Sequence, residues 1–86
     1  MIHPSAIVEN GAIIGSNTNI GAFSYIGSNV VLGDNINIFP HVIIDGHTKI
    51  HDNANIYPNA TIGMAPQDYK YKDEITYIEI GKNCMI

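Results

Sequence analysis

From Ile2 to Ile62 an aliphatic residue returns at every sixth position: Ile2, Val8, Ile14, Ile20, Ile26, Leu32, Ile38, Ile44, Ile50, Ile56 and Ile62. No helix has that period. Six is a multiple of the two-residue strand repeat, so every member of the column points to the same side of an extended chain. A second, smaller column stands two residues earlier, in Ala6, Ala12, Thr18, Ser24, Val30, Ile36, Val42, Thr48, Ala54 and Ala60. The residue after the aliphatic is Gly in Gly15, Gly21, Gly27, Gly33 and Gly63, and Asn recurs two residues further on at Asn17, Asn29, Asn35, Asn53 and Asn59. Gly and Asn tolerate the positive φ of tight turns. Short strands joined by tight corners, all with the same inward pattern, describe a chain that coils on itself and stacks coil on coil. That is an all-β solenoid built on a hexapeptide repeat.

The repeat resembles that of the hexapeptide acyltransferases, in which three hexapeptides make one triangular coil of a left-handed parallel β-helix. The left hand is implied by this resemblance and not by the period, since parallel crossovers are right-handed in roughly 98% of cases. Three hexapeptides per coil divide the chain into about four coils, beginning at Ile2, Ile20, Ile38 and Ile56. The outward residues then sort by face. The first face shows Ser5 and Ile7, Phe23 and Tyr25, His41 and Ile43, Asn59 and Thr61; the second shows Gly11 and Ile13, Asn29 and Val31, His47 and Lys49. The third shows only Asn, at positions 17, 19, 35, 37, 53 and 55. An aromatic and aliphatic stripe on one side of a solenoid marks a subunit contact. The expected assembly is a homotrimer that covers Phe23, Tyr25, His41 and Ile43 and leaves the Asn face in water or laddered between coils.

After Ile62 the column fails, with Asp68 and Glu74 in its next two slots. The stretch from Met64 to Glu79 is polar, charged and rich in Tyr, and the repeat resumes at Ile80-Gly81-Lys82-Asn83-Cys84-Met85-Ile86. A loop over 64–79 bounded by in-register coil is an excursion from a rigid scaffold, where functional residues concentrate.

Composition narrows the classes of function. The 86 residues fit one domain, 1–86, and carry a formal charge of −4 with only four Lys and Arg. This argues against a nucleic-acid groove or an anionic membrane surface. No apolar run is long enough to span a bilayer, and no signal peptide opens the chain, so no membrane insertion and a cytoplasmic location are expected. The single Cys84 falls in the small inward column, which predicts a buried, inert thiol. The fifth coil has barely begun at Ile86, and an uncapped solenoid end leaves apolar side chains in water. The 86 residues are therefore expected to be the N-terminal portion of a longer chain.

The segment Gln67-Asp68-Tyr69-Lys70-Tyr71, then Glu74-Ile75-Thr76 and Ile80-Gly81-Lys82-Asn83, is similar to the Gln-Asp-x-Lys-Tyr … Glu-Pro-Thr … Ile-Gly-x-Asn signature of the UDP-N-acetylglucosamine O-acyltransferases, which open lipid A synthesis. His41 to Ile50 resembles the family's segment at the same distance before the loop. The resemblance implies a 3-hydroxyacyl chain moved from the phosphopantetheine of acyl carrier protein to the 3-hydroxyl of a UDP-sugar. It further implies a cleft between subunits of a trimer, where Gln67, Asp68 and Lys70 contact the sugar nucleotide and the acyl chain. A carboxylate can fix a sugar hydroxyl, and a Lys can meet a phosphate or carbonyl as a mobile point charge. No bound cofactor is implied.

In that family a His acts as general base on the sugar hydroxyl, in a His-x-x-His-Asp stretch well past the loop. None of His3, His41, His47 or His51 matches it, so the 86 residues alone are expected to be inactive and without a catalytic residue of their own. His3 and His51 occupy corners, and His41 and His47 point outward. A three-His zinc site of the γ-type carbonic anhydrase kind does not fit the spacing of these four, and zinc catalysis needs three converging ligands. Two other readings remain at this point: an N-acetyltransferase of the same fold that takes acetyl-CoA and a sugar nucleotide, and a non-catalytic hexapeptide trimer.

Overall fold

The structure, a computed structural model, describes residues 1–63 and 77–86. The chain is a left-handed parallel β-helix. Its first ten strands, β1 to β10, are β1 (Ile7–Val8), β2 (Ile13–Ile14), β3 (Asn19–Ile20), β4 (Tyr25–Ile26), β5 (Val31–Leu32), β6 (Asn37–Ile38), β7 (Ile43–Ile44), β8 (His47–Ile50), β9 (Asn55–Ile56) and β10 (Thr61–Ile62), and β11 (Tyr77–Ile80) follows the insertion. Every third strand stacks on the same face. The order β1-β4-β7-β10 makes the first sheet, β2-β5-β8-β11 the second and β3-β6-β9 the third. Ile7 pairs with Tyr25 and Tyr25 with Ile43, so each coil advances the chain by 18 residues, the three hexapeptides of the repeat.

The six-residue column is the core. Ile20, Ile26, Leu32, Ile38, Ile44, Ile50, Ile56 and Ile62 are buried and stack directly on one another within each face. The smaller column fills the corners beneath them, and its polar members are paired there. Thr18 Oγ1 donates to Gly33 O at 2.8 Å, Ser24 Oγ to Phe39 O at 3.0 Å and Thr48 Oγ1 to Asp45 O at 2.8 Å. A buried hydroxyl without a partner would cost about 1–3 kcal/mol, and among the described residues none lacks one.

The corners divide the work between Gly and Asn differently from the expectation. Asn17, Asn35, Asn53 and Asn59 take positive φ as expected, but Asn29 does not, and the non-glycine residues Phe23 and His41 do (φ 58° and 62°). Gly15, Gly21, Gly27 and Gly33 are not in the positive-φ region. They are glycine for space: a Cβ on Gly15 would lie 2.3 Å from Gly33 O and 2.4 Å from Asp34 Oδ1 of the next coil. That carboxylate accepts from Ser16 N at 2.8 Å, and Asp52 repeats the contact on Asp34 N at 2.8 Å. Asp side chains thus tie successive coils at one corner, and the glycine below each makes room.

The Asn face forms a ladder. Asn19 Nδ2 donates to Asn37 Oδ1 at 3.2 Å, and Asn37 Nδ2 to Asn55 Oδ1 at 3.0 Å. In Asn37→Asp the donating amide becomes a second acceptor facing Asn55 Oδ1, so a loss of about 1 kcal/mol in unfolding free energy is expected by urea denaturation. An unchanged midpoint would mean that the ladder contributes nothing.

Within the single chain the first face is open to solvent: Phe23 is 65% exposed and Ile7 54%. Phe23 and His41 stack at 5.4 Å between ring centres, and Phe39 and Tyr57 at 4.9 Å. Both pairs lie on the corner that leads from the third face to the first, with Pro4, Pro40 and Pro58 between them. Burial, then the Glu9 and Asp45 carboxylates, push the Tyr25 phenol up from its ordinary value.

Two expectations need correction. Pairing resumes at Tyr77, not at Ile80: β11 runs in register with β8 from Tyr77↔His47 to Ile80↔Ile50. The reason is Ile78, which stands two before Ile80 and takes the small inward slot opposite Thr48. Cys84 is half-buried rather than buried, because no strand among the described residues packs over it.

Candidate functional site

The residues singled out for substrate binding, Gln67, Asp68 and Lys70, lie outside the described residues. What the structure does place are the residues on either side of them: Gly63, at the corner between the first and second faces, and Tyr77, where β11 begins in register with β8 of the second sheet. On that face lies a groove of about 390 Å³, lined by Asn29, Val31, His47, Thr48, Lys49, Ile78 and Glu79.

The alternation of the strands explains the lining. Val31 and Lys49 are partners on β5 and β8, and Lys49 and Glu79 on β8 and β11, so they rise in one outward row. His47 stands two residues before Lys49 and is half-buried. The floor is aliphatic at Val31 and charged at Lys49 and Glu79. Asn29 adds an amide that both donates and accepts. At the end of β8, His51 Nε2 lies 2.5 Å from Glu79 Oε2. The hydrogen bond from His51, its charge and then Lys49 hold the Glu79 carboxyl below the usual carboxylate range.

Such a surface can hydrogen-bond and carry an anion's charge, but among the described residues it holds no nucleophile beside a base. The four histidines are dispersed. His3 Nδ1 lies 2.8 Å from Ser5 Oγ, His41 stacks on Phe23, His51 meets Glu79, and His47 lines the groove. Among the described residues no three of His, Cys, Asp and Glu converge as a metal would require. The groove residues Asn29, Val31, His47 and Lys49 are visible in the sequence as outward positions of the second face. Glu79 was hidden inside the stretch read as excursion; its signal is the alternation Ile78-Glu79-Ile80.

No family model matches the chain. It is 55% identical over 82 residues to an acyl-[acyl-carrier-protein]–UDP-N-acetylglucosamine O-acyltransferase of a Sulfurovum species, covering 95% of the chain and 32% of that protein. It is 46% identical over 86 residues to the protein of the same name from Campylobacter lari, covering 99% of the chain and 33% of the relative. Among solved structures, a UDP-N-acetylglucosamine acyltransferase superimposes with a TM-score of 0.94 at 36% identity, over the whole chain and 33% of its own. The UDP-N-acetylglucosamine O-acyltransferase of Moraxella catarrhalis gives 0.83 at 39% identity, over 98% of the chain and 35% of its own. The chain spans about a third of the length of the curated relatives it matches. Over that length, in sequence and in fold, it belongs to the UDP-N-acetylglucosamine O-acyltransferase family.

Proposed function

We propose that the chain is the N-terminal part of a cytoplasmic, homotrimeric acyltransferase that moves a 3-hydroxyacyl group from acyl carrier protein to the 3-hydroxyl of UDP-N-acetylglucosamine, the opening step of lipid A synthesis. The observation that carries the reading is a 46% identity that extends over 99% of the chain, and so includes the segment holding Gln67, Asp68 and Lys70. In the reaction the sugar hydroxyl attacks the thioester carbonyl, the carbon–sulfur bond breaks, an ester forms, and the carrier thiol leaves with a proton. A general base takes the hydroxyl proton. The dispersed His3, His41 and His51 have other partners, and the base is assigned to a His outside these 86 residues. The exposed aromatic and aliphatic side chains of the first face support a subunit contact along Phe23, Tyr25, His41 and Ile43.

The test is an assay of the whole protein with 3-hydroxyacyl carrier protein or acetyl-CoA as donor. The expected product is the 3-O-acyl sugar nucleotide, formed only from the carrier protein. Acetyl transfer from acetyl-CoA to a sugar amine would instead establish the N-acetyltransferase reading. Asp68→Ala and Lys70→Ala are each expected to lower kcat/KM by about 10- to 100-fold, the loss of one charged hydrogen bond, while the coil stays folded. Unchanged kinetics in both would remove the 64–76 segment from the active site.

A further inference from the structure

We propose that Asn10 is a site of spontaneous modification, where the Gly11 amide closes on the Asn10 side chain, expels ammonia and leaves aspartate or isoaspartate at the corner between β1 and β2. The proposal does not draw on the acyl-transfer reading. Both residues are exposed. Their turn is closed by the Ala12 N–H, which donates to Glu9 O at 3.2 Å, and Gly11 takes φ 101°. Of all the asparagines in the sequence, Asn10 alone is followed by glycine. A successor without a Cβ leaves the attacking nitrogen an open approach. The step consumes one water and releases one ammonia. Hydroxide takes the Gly11 N–H proton, the nitrogen bonds to Asn10 Cγ, and the bond from Cγ to the side-chain nitrogen breaks as ammonia leaves with a proton from water. Water then opens the five-membered imide. Attack at Cγ restores the ordinary main chain with an Asp side chain, and attack at the main-chain carbonyl gives isoaspartate.

The hydrogen bonds of the coil explain why the reaction is confined to this corner. It needs a free amide N–H after the Asn and a free side chain before it. Among the described residues no hydrogen bond reaches the Gly11 N–H or the Asn10 side chain. At the other corners the successor amide is engaged. The Val30 N–H after Asn29 donates to Gly27 O at 3.3 Å, the Ile36 N–H after Asn35 to Thr18 Oγ1 at 3.4 Å, and the Ala60 N–H after Asn59 to Tyr57 O at 3.3 Å. Asn19, Asn37 and Asn55 are held side chain to side chain in the ladder, and their successors Ile20, Ile38 and Ile56 are buried in the core. An amide that must first leave one hydrogen bond reacts about ten-fold slower. The turn at Asn10 is also pinned at both ends, by the Glu9 N–H on Ile26 O at 3.0 Å and the Ile13 N–H on Val30 O at 3.0 Å. Aspartate keeps the length of main chain between those bonds, whereas isoaspartate adds a carbon to it. Either product sets a carboxylate beside Glu9 and adds one negative charge to the formal −4.

Incubation of the folded protein at mildly alkaline pH, followed by anion exchange and fragment mass spectrometry, tests the proposal. Asn10 is expected to gain the mass of an amide-to-acid exchange at least about ten-fold faster than Asn29, Asn35 or Asn59. The more acidic species that accumulates on anion exchange should carry that change. In Asn10→Gln, whose longer side chain would have to close a six-membered ring, this species should be lost. An Asn10 that keeps its amide while other asparagines lose theirs would overturn the proposal. So would equal rates at Asn10 and Asn29, or an acidic species that forms undiminished in Asn10→Gln. No activity is measured, so this test and the acyl-transfer assay fail independently.

Discussion

Ile44→Ala is expected to lower the unfolding free energy by about 2–5 kcal/mol, read from the urea midpoint at constant m value. The side chain is 0% exposed and sits in the first sheet between Ile26 below and Ile62 above. Deleting three carbons there removes both the transfer free energy and the contacts with the coils on either side. The surroundings cannot close the gap, because hydrogen-bonded neighbours fix the coil spacing at about 4.8 Å. The loss is a large share of the 5–15 kcal/mol that holds an ordinary domain together. Ile43→Ala, one residue away but directed outward, should cost less than about 1 kcal/mol in the single chain. Equal costs at the two positions would refute the assignment of inward and outward columns.

Gly15→Ala should destabilise by about 1–3 kcal/mol or more, and Gly81→Ala by less than about 0.5 kcal/mol, although both occupy the same slot of the repeat. At Gly15 a methyl group would meet the Gly33 carbonyl and the Asp34 carboxylate, neither of which can withdraw without breaking a bond between coils. At Gly81 nothing among the described residues lies within 4 Å. Thermal unfolding of the two variants side by side decides the matter. A similar penalty at both would mean that backbone conformation, not space, selects glycine at this corner.

The contrast also shows what could be read from the residues alone. The period of six, the inward column and the three faces were all legible, because alternation along a strand is a local property of sequence. The Asn ladder was legible as one of two options. The reason for the glycines was not. It depends on a partner about one coil away, and appears in the sequence only as Gly15 followed by Asp34 and Gly33 by Asp52, a spacing of 19 residues that means nothing until the coil length is known. The return strand was misplaced by three residues because Glu79 looked like part of a charged loop, while its neighbours Ile78 and Ile80 already carried the inward alternation. The partnership of His51 with Glu79 joins residues 28 apart and breaks the repeat, so no periodic argument could find it.

The register of β11 bears on how the coil is assembled in time. Ile7 meets Tyr25 across 18 residues of chain, whereas His47 meets Tyr77 across 30. Closing a loop costs free energy that grows only with the logarithm of its length, so the longer closure adds about 0.5 kcal/mol to the turn it completes. A solenoid propagates from neighbour to neighbour, each finished turn templating the next. One extra step of that size slows propagation at β8 by roughly two-fold without stopping it. Nascent chain can therefore wind its first turns, wait briefly at the exposed edge of β8, and resume winding when Ile78 and Ile80 reach Thr48 and Ile50.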